Sequence, residues 1–311
     1  MNSNGDIIDD VLYIAGAGFS GSTLLAFLLN AHPEMASVGE DWGPIPEIAD
    51  PHEYACSCGA PLKSCPFWLE VARRMGQRGL RFGPDEWDTT FDLGGNRLMR
   101  QLLVRSLKCN LIDGVRDAVV RRIPPWSGRI AAISTRSAAL VRSIREVTGK
   151  RVFVSAMKDP LRIRFLIRIP TLRLKVVHLV RDSRGYVSSD MRRRGSSVRR
   201  ASAYWNRTCG NVERVIRLLP PDRSMLLRYE DLCRDVIGEL ARIARFVGLE
   251  PMTGPISFRD TDHHIIGNPM RLTGSTEVRL DESWREKMSA EVQAEVIRRT
   301  RPFRMRYRYE V

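Results

Sequence analysis

The chain has 311 residues, 43% of them hydrophobic and 28% charged, enough apolar material for one large core and not the composition of a disordered chain. Six cysteines at this length do not make a disulfide scaffold, and the apolar stretches near the start fall far short of the roughly 18 unbroken residues that a membrane span needs. The formal charge of +14 asks for an anionic partner: nucleic acid, a membrane surface or a polyanionic small molecule.

That charge is unevenly placed. No Lys or Arg precedes Lys63, so the first 62 residues are acidic and the remainder is strongly basic. A start without positive charge also argues against a secretory signal, and a soluble cytoplasmic protein is the expectation.

In chain order, Val11–Ala15 reads as a strand, 16–23 as a Gly/Ser loop and Thr23–Asn30 as an apolar helix. Residues 41–150 read differently: Pro-rich at 44–51, then helical patterns around 67–76 and 95–122. They are expected to form an insertion or cap, within a single domain spanning 1–311, that sets specificity. Three further apolar runs follow, Val152–Ser155, Leu174–Val180 and Met225–Leu227, each ending in a polar cluster. Short continuous runs of this kind read as buried parallel strands. Helical patterns follow from Arg184 and over Ile237–Val247, the second closing at Gly248 as a C-cap would. Strand, polar turn, helix, repeated, predicts a doubly wound α/β sheet, with ligands outside the carboxyl ends of its strands. Asp281–Thr300 reads as an amphipathic helix before a basic-aromatic tail. No internal repeat is present.

Cys56, Cys58 and Cys65 cluster, with His52 four residues upstream. Zinc is conceivable at that H-x3-C-x-C-x6-C spacing, although it is not a standard pair of C-x2-C hooks. A redox role and ordinary packing of small apolar side chains are the alternatives, and no metal is assigned.

The run from Gly16 to Thr23 follows a strand and opens a helix. Glycines let its N–H groups curl toward an anion, and the helix start adds a positive dipole end. The spacing is that of a P-loop, G-x4-G-x-[ST], but Ser22 stands where a nucleotide triphosphatase carries Lys. ATP or GTP hydrolysis fits poorly, and a P-loop kinase-like phosphotransferase is a distant alternative. The bland reading is a Gly-rich turn packing a helix on a sheet.

AGAGFSGSTLLAFLLNAHPEMASVGE (15–40) resembles the first signature of sulfotransferases that use 3′-phosphoadenosine-5′-phosphosulfate (PAPS), and HLVRDSRGYVSSD (178–190) is similar to their second. The resemblance, nearest to bacterial members with a P-loop-like site, covers about 15–40 and 174–250 and does not extend to the insertion. It implies transfer of a sulfonate from PAPS to a hydroxyl or amine of a glycan, lipid or small metabolite, leaving the 3′,5′-bisphosphate PAP, with no metal required. It implies that Gly18, Phe19, Ser20, Gly21, Ser22 and Thr23 grip the 5′-phosphosulfate, and that Arg181 and Ser189 bind the 3′-phosphate. An Arg offers a planar fork to phosphate oxygens, and two helical turns bring the hydroxyl to the same side. More loosely, His264–Arg271 followed by Trp284-Arg285 resembles a late loop that closes over the nucleotide, making Asn268 and Arg271 candidate ligands; a plain surface turn is the other reading.

The reaction needs a base for the acceptor proton and a cation near the bridging oxygen. Glu40, after the apolar run Met35–Val38, is the expected base, with His263 and His264 as runners-up and His178 read as a core histidine. Phe19 departs from the family, whose members usually carry a cation there. Lys158, in VSAMKDP, is similar in place to a Lys of bacterial members and is the expected substitute. The departure keeps a non-catalytic nucleotide-binding protein open as the alternative. Arg192, Arg193, Arg194, Arg199 and Arg200 invite a nucleic-acid reading, but no nucleic-acid motif accompanies them. A solvated basic face near a polyanionic donor is expected, with no specific nucleic acid as partner.

Overall fold

Val11 to Ala15 are almost wholly shielded from solvent, as expected for the centre of a parallel sheet covered on both sides. The computed structural model describes residues 7–41, 43, 50–94, 103, 109–254, 256–272 and 276–310. Five strands form its sheet: β1 (Asp9–Gly16), β2 (Met35–Gly39), β3 (Val152–Lys158), β4 (Leu172–Val180) and β5 (Ser224–Arg228). Their order is β2-β3-β1-β4-β5, and every pairing is parallel. The expected α/β class holds, with one strand more than the four predicted. The fifth is β2, which contains the short apolar run Met35–Val38 that leads to Glu40.

The helices are α1 (Ser22–Asn30), α2 (Pro66–Gln77), α3 (Asn110–Val120), α4 (Trp126–Thr148), α5 (Pro160–Leu166), α6 (Ser183–Arg194), α7 (Val198–Ile216), α8 (Tyr229–Arg234), α9 (Val236–Val247), α10 (Trp284–Lys287) and α11 (Ala290–Arg306). Alternate residues of β1 face two separate cores. Val11, Tyr13 and Ala15 join one cluster with Phe153, Val176 and Trp68, while Leu12 and Ile14 join another with Leu25, Val154 and Leu179. Period-two alternation thus places helices over both faces. Among the described residues no helix is long and apolar enough to cross a membrane.

The chain between β2 and β3 does two jobs. Its last helix, α4, is the crossover returning the chain to the sheet, and Gly149 closes it in the left-handed conformation. The part before it lays Tyr54, Leu62, Trp68 and Trp87 into the same core as the sheet. Of the helical reading at 95–122, residues 95–102 and 104–108 lie outside the described residues, as do 44–49 of the Pro-rich stretch.

The C-terminal helix starts later than its amphipathic pattern suggests. Ser289 caps it, accepting from the Val292 N–H at 3.4 Å, and it runs on through Pro302 to Arg306. The basic-aromatic residues after Thr300 are docked: Arg304 is fully buried and Tyr307 and Tyr309 nearly so.

Candidate active site

β1 lies between β3 and β4, and the chain leaves it toward one side through α1 and later crosses to the other through α5. The carboxyl end of β1 is therefore the switch point, where open α/β sheets bind ligands. The 17–21 loop occupies it. Gly21 takes φ 87° as the N-cap of α1, and a Cβ there would stand 2.5 Å from the Tyr229 ring. Only glycine meets both demands. The first turn of α1 carries no acidic side chain, so its positive end remains available to an anion. Ser20 and Ser22 are buried, while Gly18, Phe19 and Thr23 are partly open.

Arg181, the first residue beyond β4, is 6% exposed. One Nη donates to the Phe19 carbonyl at 3.0 Å; the other donates to the Asp281 carbonyl at 2.7 Å and its carboxylate at 2.9 Å. The guanidinium also lies 4.8 Å from the Tyr229 ring centroid. Burial works to raise the Asp281 carboxyl, but hydrogen bonds to Ser283 and Arg181 outweigh it and hold the group at about 2. Arg181 thus ties the β4 end to the loop at the β1 end. Ser189 is buried two turns along α6, the helix that Asp182 caps by accepting from the Arg184 N–H at 2.8 Å.

Phe19 is the departure from the expected loop, and the structure surrounds it with cations. It is one of four described non-glycine residues at positive φ, at 57°, where L-residues rarely sit. The Arg194 guanidinium is 4.9 Å and that of Arg193 5.9 Å from its ring centroid. An Nη of Arg194 would stand 3.8 Å from a Cβ on Gly18. Sequence reasoning missed this role for the two arginines, because a basic run at a helix end is usually a solvated face.

Glu40 and Lys158, predicted separately, are joined: the ammonium and carboxylate form a direct ion pair with both side chains mostly buried. Lys158 is a second residue at positive φ, 67°. It ends β3 opposite Ala15 of β1, so the pair stands beside the start of the loop. Two of the four described non-glycine residues at positive φ, Phe19 and Lys158, thus border the end of β1; such strain occurs often at functional sites. Behind the pair, the Asp41 carboxylate accepts from Ser155 Oγ at 2.5 Å and meets an Nη of the buried Arg162 at 2.9 Å.

The late loop walls this end. Ile266 donates its N–H to the Val38 carbonyl at 2.9 Å and accepts from the Glu40 N–H at 3.1 Å. Gly267 then passes so close that a Cβ would stand 2.7 Å from Glu40 Cγ. Arg271 is committed to this wall, donating to the Ala55 carbonyl at 2.9 Å and the Gly267 carbonyl at 2.6 Å over the Tyr54 ring. Asn268 caps the following turn, accepting from the Met270 N–H at 3.0 Å. The histidines are committed too. His263 Nδ1 meets Ser57 Oγ at 2.8 Å, and His264 Nδ1 faces Cys56 and Cys65. His52 pairs instead with Asp85, so the predicted grouping of His52 with the cysteines does not form; His264 stands in its place. His178 is a core residue, 3% exposed.

Residues 133–253 match the model of the sulfotransferase family. The sulfotransferase domain of the Synechococcus PCC 7002 olefin synthase shares the fold, with 22% identity and a TM-score of 0.52 over 100% of this chain and 98% of that one. The sulfotransferase domain from the curacin biosynthetic pathway is 15% identical, with a TM-score of 0.48 over 98% of this chain and 99% of that one. Sulfotransferase STF9 from Mycobacterium avium is also 15% identical, with a TM-score of 0.46 over 94% of this chain and 76% of that one. No curated protein matches. Residues 133–253 are thus similar to the sulfotransferase family, and the chain shares the fold of a sulfotransferase domain. The matched segment includes Lys158, Arg181 and Ser189 but neither the 16–23 loop nor Glu40.

Proposed function

We propose that this protein transfers the sulfonate of PAPS to a hydroxyl or amine of a glycan, lipid or small-metabolite acceptor. The observation that carries the reading is the convergence of two signatures distant in sequence: Arg181, just beyond β4, hydrogen-bonds the main chain of the loop that follows β1. The residues present suit the donor, since a buried guanidinium fork and the N–H groups opening α1 are what a nucleotide with phosphates at both ends of its ribose would meet. PAPS supplies the activated sulfur.

The chain's residues divide the remaining work. Loop N–H groups and the first turn of α1 take the 5′-phosphosulfate, and Arg181 with Ser189 take the 3′-phosphate. Glu40 accepts the acceptor's proton as its oxygen or nitrogen bonds to sulfur and the sulfur–oxygen bond to the 5′-phosphate breaks. Lys158 and Arg194 meet the charge building on that departing phosphate, in place of the cation that Phe19 displaces. The part of 41–150 that precedes α4 shapes the acceptor site within the same domain.

Calorimetry with PAP and AMP tests the donor. A charge-assisted contact is worth about 1.5–3 kcal/mol, so PAP should bind at least about tenfold tighter, a gap that Arg181→Ala removes. Equal affinity for the two nucleotides would overturn the reading. Label transfer from radioactive PAPS to an acceptor panel tests the chemistry. PAP binding without transfer to any acceptor would favour the second reading that Phe19 motivates, a nucleotide-binding protein that has lost catalysis.

A further inference from the structure

Four side chains play no part in the chemistry above, and their donor atoms meet at one point. Cys56 Sγ lies 3.7 Å and Cys65 Sγ 3.4 Å from His264 Nδ1, and Cys58 Sγ lies 3.7 Å from Cys65 Sγ. All four donor atoms fall within 4.8 Å of one another. We propose that this group binds one zinc ion, with Cys56, Cys58, Cys65 and His264 as its complete ligand set. With zinc–sulfur bonds of about 2.3 Å and zinc–nitrogen bonds of about 2.0–2.1 Å, tetrahedral ligand atoms stand roughly 3.5–3.8 Å apart. The three separations of 3.4–3.7 Å are close to the edges of that tetrahedron.

The surroundings are built for a ligand set rather than for thiol packing. His264 Nε2 meets the Asp262 carboxylate at 3.0 Å. A carboxylate there holds the proton on Nε2 and leaves the Nδ1 lone pair facing the sulfurs, the usual outer support of a zinc-bound histidine. The ring is held flat against Phe67, centroids 4.4 Å apart and 3° from parallel. A tight turn, with Gly59 N–H donating to the Cys56 carbonyl at 2.9 Å, brings Cys58 back beside Cys56. Cys65 is the N-cap of α2, where the dipole favours a thiolate. Three thiolates and one imidazole suit zinc, and four protein ligands leave no position for substrate, so the site is structural.

Its place in the fold gives the metal a task. Binding would staple the turn at 56–65 to a loop some two hundred residues later, Cys56 and His264 being 208 apart. That loop continues into Ile266 and Gly267, the wall against Glu40. Zinc would therefore hold the base's wall without touching the nucleotide loop, whether or not the chain transfers sulfonate.

The test is the metal content of the reduced, full-length protein expressed with zinc supplementation and measured by plasma mass spectrometry. About one zinc per chain is expected, falling below about a tenth in Cys58→Ser, whose exposed site spares the core, and unchanged in His52→Ala. Less than about a tenth of an equivalent in the wild type, even after incubation with zinc chloride under reductant, would overturn the proposal. So would full zinc retention by Cys58→Ser or its loss in His52→Ala. Should Cys58→Ser fail to fold, cobalt(II) in the wild type decides. Intense tetrahedral bands with thiolate charge transfer are expected, and a weak octahedral spectrum would count against the site.

Discussion

Glu40 and Lys158 each neutralise the other in a mostly buried place, so neither can be altered alone without leaving a charge uncompensated. A positioned base is worth roughly 10²–10⁴ in rate. Glu40→Gln should therefore lose at least about a hundredfold in turnover while PAP affinity in calorimetry does not fall. Survival of turnover within a few fold would remove Glu40 from the mechanism. Two cationic groups compete for the role that Phe19 vacates. A donor aimed at developing charge is worth about 10²–10³ in rate, and Lys158→Ala and Arg194→Ala should divide that loss between them. Combining Lys158→Ala with Glu40→Gln separates roles: if Lys158 only holds Glu40, the double variant is no slower than Glu40→Gln. If Lys158 also meets the leaving phosphate, the double variant is slower still. Phe19→Arg should restore part of the activity lost by Lys158→Ala.

Helix α6 carries three parts of the proposed site on one rigid body. Arg181 immediately precedes its cap, Ser189 lies mid-helix and Arg193 and Arg194 end it. The cap is secured from behind by α11, where fully buried Arg304 donates to the Asp182 carboxylate at 2.7 Å and to Ser183 Oγ at 2.9 Å. Burial pushes the Asp182 carboxyl up, but hydrogen bonds from Arg184 and Arg304 prevail and keep it below the usual range. Breaking a buried pair by removing one partner costs about 3–5 kcal/mol. Arg304→Met should lower unfolding stability in urea by that order and weaken PAP binding through the loosened β4 end. A variant with unchanged stability would deny α11 this role. Elements whose pattern is local were legible in the sequence: β1, β4 and α9 lie where continuous apolar runs and a C-cap glycine put them. The start of α11 was not, because the amphipathic period continues through 281–288 while Ser289 sets the cap. Glu40, Lys158 and Arg181 could be singled out by position, yet their partnerships could not. Lys158 is 118 residues from Glu40, and nothing near Cys65 announces that its histidine is His264.

At the scale of the molecule, one buried histidine couples the fold to pH. His178 sits in β4 edge-on to Tyr307, and its Nε2 has no hydrogen-bond partner among the described residues. Burial pushes it from the ordinary 6.5 down to about 3. Below pH 6.5 the unfolded chain takes a proton that the folded chain refuses until about pH 3, so the stability present above 6.5 is lost as pH falls through that window. The slope is about 1.4 kcal/mol per pH unit for one proton. His178→Leu should flatten the dependence of urea stability on pH between those limits, and an unaltered slope would assign the acid sensitivity elsewhere.

The wall that the 262–267 loop raises against Glu40 has a consequence for how the protein comes into being on the ribosome. A nascent chain that has emerged through β5 already possesses every strand of the sheet and both signature segments. Its Glu40 still lacks Ile266 and Gly267, and its α6 cap still lacks Arg304. Chains fold from the N-terminal side during synthesis, and contacts of large sequence separation form last. The 16–23 loop and the β4 end can therefore meet while translation continues, but Glu40 is walled in and α6 braced only once residues 262–304 have followed. On the function proposed above, turnover requires the chain through Arg304 to have left the ribosome.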